Sequence, residues 1–157
     1  NWTRELYGSS EAEASPERAM AMGVARQTTR LETTAQNICE NVALTRIMFP
    51  DAGAIIWVTK PQTQRRLRAT IEAWDLDVVS CVTAPQHGFE DQPTQSHSKR
   101  DLICELVGDT WRLAAYPERG FMVSQAMPAV VRDAFGLLVE AGFVDHLPPN
   151  VRSLADR

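Results

Sequence analysis

The 157-residue sequence has no apolar run approaching the roughly 20 residues that a membrane-spanning helix needs. It also lacks a basic stretch followed by a short apolar one, the pattern of a secretory leader. No glycine-rich loop is present. Gly53 stands alone before its apolar run, so a phosphate-cradling turn is excluded. Cys39, Cys81 and Cys104 are odd in number, widely spaced and set among apolar residues. That pattern excludes a disulfide scaffold and a compact zinc site, and it fits reduced core thiols in a cytoplasmic protein. Lysine is nearly missing, with two residues against fourteen arginines, which reads as coding bias before it reads as a need for bidentate donors. Positive charge is in deficit, 16 basic against 20 acidic residues, for a net charge of −4. Bulk attraction to nucleic acid or to an anionic membrane is therefore disfavoured.

What is present is an ordinary globular composition, 44% hydrophobic and 23% charged. The clearest unit is Asp51 to Pro85. Ala54-Ile55-Ile56-Trp57-Val58 is a short apolar run, and Thr59-Lys60-Pro61 opens a helix with Leu67, Ile71 and Trp74 on one side. Val78 to Thr83 is a second apolar run. Strand, helix and strand in this order predict two adjacent parallel strands bridged by a crossover helix, inside a larger mixed domain.

Residues 1–16 are polar and serine-rich apart from Trp2, Leu6 and Tyr7, and read as a flexible arm. Ser15-Pro16-Glu17-Arg18 then looks like a helix start, and the pattern runs to about Met48 with Gly23 as its weak point. Val24, Leu31, Ala35, Ile38, Val42 and Phe49 mark one seam on such a helix. About thirty helical residues would span roughly 45 Å, more than a small sheet can cover. The seam is thus a candidate interface at Leu31, Ala35, Ile38, Val42 and Phe49.

Gln86 to Ser98 holds Gly88, Pro93 and two histidines and reads as a long loop after a central strand. Asp101–Val107, Thr110–Tyr116 and Phe121–Val123 then read as three strands, with Gly108-Asp109 and Pro117–Gly120 as turns. A last helix follows over about 126–140, with Ser124 as its cap and Gly142 after its end. The expectation is an α+β (mixed α/β) fold. A long N-terminal helix, a β-α-β unit, an antiparallel three-strand meander and a C-terminal helix pack on one mixed sheet. Residues 17–147 form the single domain and 148–157 a polar tail. The chain opens on Asn1 and closes in that tail, the look of an excised piece.

Two clusters carry candidate chemistry. Lys60, Arg65, Arg66 and Arg68 have no acid among them, and with Lys99 and Arg100 they form a candidate anion or nucleic-acid contact. A solvated face with an Arg68–Glu72 pair accounts for the same residues. The loop residues His87, Glu90, Asp91 and His97 could exchange protons or ligate a metal, but two histidines ten apart match no compact ligand spacing. No nucleophile with a base, no paired carboxylates and no metal or cofactor site stands out. A non-enzymatic regulatory or assembly domain is therefore the first reading. It would act through protein–protein contacts, with itself as a homodimer or with other domains of a longer protein, and without a membrane. The alternatives are a nucleic-acid-binding module using Lys60, Arg65, Arg66 and Arg68, and an enzyme with a site in the 86–100 loop.

Overall fold

A computed structural model of the chain describes residues 11–74 and 77–151. The chain divides into two units, Asn1–Pro50 and Asp51–Arg157. Most of the expected arm and of the expected tail lies outside the described residues, as do Asp75 and Leu76.

Among its described residues the first unit has helices α1 (Glu11–Ala21) and α2 (Ile38–Met48), with a 3-10 turn at Arg26–Thr28 between them. The single long helix expected up to Met48 is thus replaced by two short ones. Gly23 takes a left-handed φ of 93° and lets the chain turn after α1. Beyond it, side chains bond the nearby backbone in place of a helical ladder. The Thr28 hydroxyl donates to the Ala25 carbonyl at 2.7 Å. The Glu32 carboxylate accepts from the Thr34 N–H and hydroxyl, each at 2.6 Å, and from the Ala35 N–H at 3.0 Å. Such local bonds compete with helix formation. α2 then starts afresh. Asn37 Oδ1 accepts from the Glu40 N–H at 3.0 Å, and the Glu40 carboxylate accepts from the Gln36 N–H at 2.7 Å, a close variant of the capping box.

The second unit is a mixed, helix-rich α/β arrangement. Strand β1 (Ala54–Val58), helix α3 (Gln64–Ala73) and strand β2 (Val79–Thr83) form the anticipated crossover unit. The strands pair in parallel, from Ala54 with Val79 to Val58 with Thr83. Leu67, Ala69, Thr70 and Ile71 of α3 are buried. Trp57 is buried as well, and its indole N–H donates to the Ser80 hydroxyl at 3.1 Å. Among the described residues the sheet has only these two strands.

The meander expected over 101–123 is not formed. Helix α4 (Lys99–Ala115) takes the place of its first two strands, and a 3-10 turn at Pro117–Arg119 follows. A capping box starts α4: the Ser98 hydroxyl accepts from the Asp101 N–H at 3.2 Å, and the Asp101 carboxylate accepts from the Ser98 N–H at 2.8 Å. The Ser98 hydroxyl's own donation, joined by that backbone bond, holds the Asp101 carboxyl below its ordinary range. In place of a third strand, Val123 donates to the Ala69 carbonyl at 3.0 Å and so ties the following extended segment to α3.

α4 is buried on more than one side. Leu102 and Asp109 lie on one face, while Cys104, Val107 and Gly108 lie on others. Helix α5 (Ala129–Glu140) begins after Pro128, not at Ser124. It ends in a Schellman motif: Phe143 N–H bonds the Leu138 carbonyl, Gly142 N–H bonds the Val139 carbonyl, and Gly142 has φ 84°. No residue of α5 is fully buried.

Gly108, read from sequence as a turn, sits inside α4 for a steric reason. A Cβ there would lie 2.7 Å from His146 Cβ and 2.9 Å from the His146 carbonyl oxygen. Alanine in place of a mid-helix glycine usually stabilises by up to about 1 kcal/mol. Gly108→Ala should instead destabilise by about 1–3 kcal/mol, because the 144–147 turn must move off α4. Denaturant titration reads the sign directly, and a gain in stability would show that the contact is loose.

Candidate functional site

The carboxyl ends of the two parallel strands, where open sheets place ligands, carry a polar node shared with α4. Residues 59–66 leave β1 and enter α3. They supply Lys60, Gln62, Thr63 and Arg66, while α4 supplies Glu105, Asp109 and Arg112, spaced so that they share one side of the helix. Lys60 Nζ donates to Glu105 Oε1 at 2.7 Å, and Gln62 Nε2 donates to Glu105 Oε2 at 2.6 Å. His97 Nε2 lies 3.7 Å from the same Oε2. Burial pushes the Glu105 carboxyl up, but the hydrogen bond and charge of Lys60, with the Gln62 amide, outweigh it and hold the group below its ordinary value.

One turn further along, Asp109 is buried. Arg66 pairs with it at 2.6 Å, the Thr63 hydroxyl donates to it at 3.0 Å, and Arg112 approaches at 3.4 Å. Burial pushes the Asp109 carboxyl above its ordinary value, and Arg66, Thr63 and Arg112 recover only part of the shift. Arg112 also donates to the His146 carbonyl at 3.2 Å, so one chain of contacts ties α3, α4 and the 144–147 turn. The node's carboxylates are engaged by cations, an amide and a hydroxyl, which clamps these elements together.

Only two residues of the basic cluster read from sequence, Lys60 and Arg66, join this clamp. Lys60 holds Glu105, Arg66 holds Asp109, and Arg65 donates to the Ala126 carbonyl. Arg68 is exposed. Lys99 pairs with Glu90 at 2.8 Å and lies 5.4 Å from the Phe89 ring centre. Arg100 donates to the Gly142 carbonyl at 2.8 Å and lies 3.5 Å from Asp145. Of the loop candidates, His97 joins the node, Glu90 goes to Lys99, and His87 and Asp91 are exposed. Among the described residues, no group of three histidines, cysteines or acids is placed to hold a metal ion.

The seam residues do not share one helical face. Leu31 and Ala35 precede α2, Val42 is fully buried within it, and Phe49 follows it, with Arg30 stacked 5.1 Å from its ring centre. Arg30 also donates to the Met48 carbonyl at 2.6 Å. Glu105, Gln62, Thr63 and Asp109 were not singled out from sequence as site residues. The signal that could have found them is the four-residue spacing of Asp101, Glu105 and Asp109 behind a serine cap.

Among the described residues, two surfaces are apolar and exposed. Pairing of Ala54 with Val79, Ile56 with Cys81 and Val58 with Thr83 puts these side chains on one face of the sheet. There Ile56, Val58 and Val79 are 71–72% exposed, and Cys81 is exposed too. α3 is crossover and cover for the opposite face. The second surface is a cleft of about 310 Å³ between α4 and α5, lined by Leu106, Thr110, Val131, Ala134, Phe135 and Leu138 among others.

Asp109→Ala leaves Arg66 without its carboxylate in a mostly buried setting, and should cost about 3–5 kcal/mol. Replacing both partners by apolar groups, Asp109→Leu with Arg66→Met, should cost much less; equal losses would show that the pair itself supplies the stability. Glu105 gives the pH dependence. Its folded pKa is depressed, so its contribution is present above the unfolded value of about 4.5 and is lost as pH falls through the folded one. Glu105→Gln should therefore flatten the acid limb of a stability–pH curve below about pH 4.5. An unchanged limb would remove Glu105 from the clamp.

No family model matches the chain, and no solved structure matches it. It is 33% identical over 152 residues to an uncharacterized protein of Streptomyces coelicolor, SCO4629, a match covering 94% of this chain and 68% of that protein. At that identity and coverage, the chain belongs to the family of this Streptomyces protein.

Proposed function

We propose that the chain is a non-enzymatic regulatory or assembly domain that works through protein–protein contacts, including contact with a second copy of itself. The observation that carries this reading is the open sheet face. Parallel sheets are almost always covered on both faces, and two strands alone make too small a sheet to be stable. Ile56, Val58 and Val79 face solvent on such a sheet, and no charge interrupts them. Contiguous apolar surface of this kind marks a contact site. The strand edges add to it: neither carries the proline, lysine or bulge that usually blocks pairing with another chain.

None of the described helices is long and apolar enough to cross a membrane. Cytoplasmic placement belongs to the same proposal, supported by three cysteines without a disulfide. The nucleic-acid reading has less support, because Lys60, Arg65 and Arg66 are engaged within the unit.

A hydrophobic fluorescent dye tests whether the sheet face is available. The native chain should enhance its emission, and Ile56→Thr with Val79→Thr should lower that signal while circular dichroism stays unchanged. A native chain that leaves the dye dark has no open apolar face, and the assembly reading ends there.

A further inference from the structure

The reading of the chain as an assembly domain leaves open where a second copy joins, and the following inference rests on that reading. We propose that two copies join edge to edge through β1, antiparallel about a two-fold axis at Ile56, so that two small sheets become one of four strands. The main-chain bonds decide which groups are left for a partner. Val79 N–H donates to the Gly53 carbonyl at 3.1 Å, and Thr59 N–H donates to the Thr83 carbonyl at 3.0 Å, at the two ends of the parallel ladder. Along a strand, successive residues turn their N–H and C=O groups alternately to one neighbour and to the other. Residues 53, 55, 57 and 59 therefore bond β2, and the N–H and C=O groups of Ala54, Ile56 and Val58 face the open edge. No backbone bond outside the ladder engages these groups among the described residues. Ala54, Ile56 and Val58 are also exposed, the last two at 71% and 72%. The β2 edge offers less, because its outward residues are Ser80 and Val82, and Val82 is buried.

The pattern on β1 is complementary to itself, which selects a second copy. Outward groups sit on the first, middle and last residues of the strand. Reversing a copy about Ile56 sets Ala54 opposite the partner's Val58, and Ile56 opposite the partner's Ile56. Each facing pair exchanges two N–H···O bonds, so every outward N–H and C=O group of both strands is used. The relation is reciprocal, as a two-fold contact demands. On the outer face valine meets alanine at both ends and isoleucine meets isoleucine in the middle, apolar pairs that stabilise adjacent strands. Every residue from Gly53 to Thr59 is uncharged, so no like charges meet across the seam. Beyond it, Asp51 and Lys60 are exposed at opposite ends of β1. Reversal brings each copy's Asp51 to the end where the partner's Lys60 lies, an attraction made twice. A parallel copy would instead bring Asp51 beside Asp51 and Lys60 beside Lys60.

The seam also corrects the size of the sheet, since two strands alone are marginal and four lie in the usual range. Its axis is perpendicular to the sheet, so the outer faces of both copies lie on one side and join into a single apolar surface. That surface stays open in the dimer, which makes dye binding and dimerisation independent readouts. A seam one strand long is a small interface, and it sets Kd on the order of 100 µM.

Single cysteines read the register, in a chain carrying Cys39→Ser and Cys81→Ser. Ile56→Cys should then give a disulfide-linked dimer under mild copper–phenanthroline oxidation, because facing Cα atoms of such a pair lie about 5.5 Å apart. Val58→Cys should link at least about tenfold less, because its counterpart in the partner lies four residues along, roughly 13 Å away. Sedimentation equilibrium of the wild-type chain from about 10 µM to 1 mM should show the dimer. Ile56→Pro should raise Kd at least about tenfold, because it removes the central outward N–H and leaves the ladder to β2 intact. If that variant loses the native circular dichroism, the cysteine pair decides alone. A wild-type chain that stays monomeric at about 1 mM overturns the inference, as does Val58→Cys linking as readily as Ile56→Cys. Linking of the wild-type chain through Cys81 would put the seam at β2 and overturn it too. A monomer that still brightens the dye loses this seam and keeps the assembly reading. A linked Ile56→Cys dimer in a chain that leaves the dye dark keeps the seam and rejects the open sheet face.

Discussion

The buried carboxylate of Asp109 is the point on which the second unit turns. A β-α-β crossover of two strands cannot bury its own helix from all sides, so α3 needs a neighbour on the side away from the sheet. α4 is that neighbour, and the ion pair of Asp109 with Arg66, joined by the Thr63 hydroxyl, fixes how α4 is rotated against it. A charge taken out of water at this cost contributes little net stability, but it is severe on any other arrangement, because a slipped register leaves it unpaired. Lys60 and Gln62 repeat the device one turn earlier, at Glu105. Arg112 extends it to the His146 carbonyl, where Gly108 lets the chain come close. Specific polar contacts therefore set the geometry, and the apolar contacts of Leu67, Leu102 and Val107 supply the driving force.

The parts of the fold that sequence makes legible are those whose signals are local and agree with one another. Ala54–Val58 and Val79–Thr83 are short, apolar and rich in β-branched residues, and the intervening helix has its apolar groups on one side. Strand type, helix period and crossover length all favour the same parallel pair. Residues 99–115 are the counter-example. Alternation of Trp111, Leu113 and Ala115 suggests a strand, and Gly108-Asp109 suggests a turn, yet Ser98 with Asp101 specifies a helix start and the acids repeat every fourth residue. Here the helical signals win because α4 is enclosed on several sides. Enclosure blurs the one-sided apolar period by which a surface helix is recognised. The first unit fails in the other direction. A spacing of apolar residues compatible with one helix is interrupted by Gly23 and by threonines and Glu32, whose side chains capture the backbone locally.

The candidate site was legible in its residue types and not in its arrangement. A run of cations without acids, Lys60 to Arg68, looks like a surface prepared for phosphate. The acids that engage two of them are 45 and 43 residues away in sequence, on a helix that reads as strands. A charge cluster read from sequence lacks the partners that only the tertiary fold brings, and arginine in particular is suited to such internal, bidentate use. The same reasoning explains His97, which stands in a polar loop by sequence but comes within 3.7 Å of Glu105 in space.

What the clamp leaves uncovered has its own physical consequence. The inner sides of α3 and α4 are covered by their neighbours, whereas the outer sheet face carries apolar side chains that nothing among the described residues covers. That surface is not guarded: the sheet edges have no lysine, proline or bulge. Apolar surface left unguarded in this way exposes a free chain to indiscriminate association. Natural sequences commonly place a charge at such positions when the surface stays in water throughout. On the outer sheet face no charge falls among Ala54, Ile56, Val58, Val79, Cys81 and Thr83.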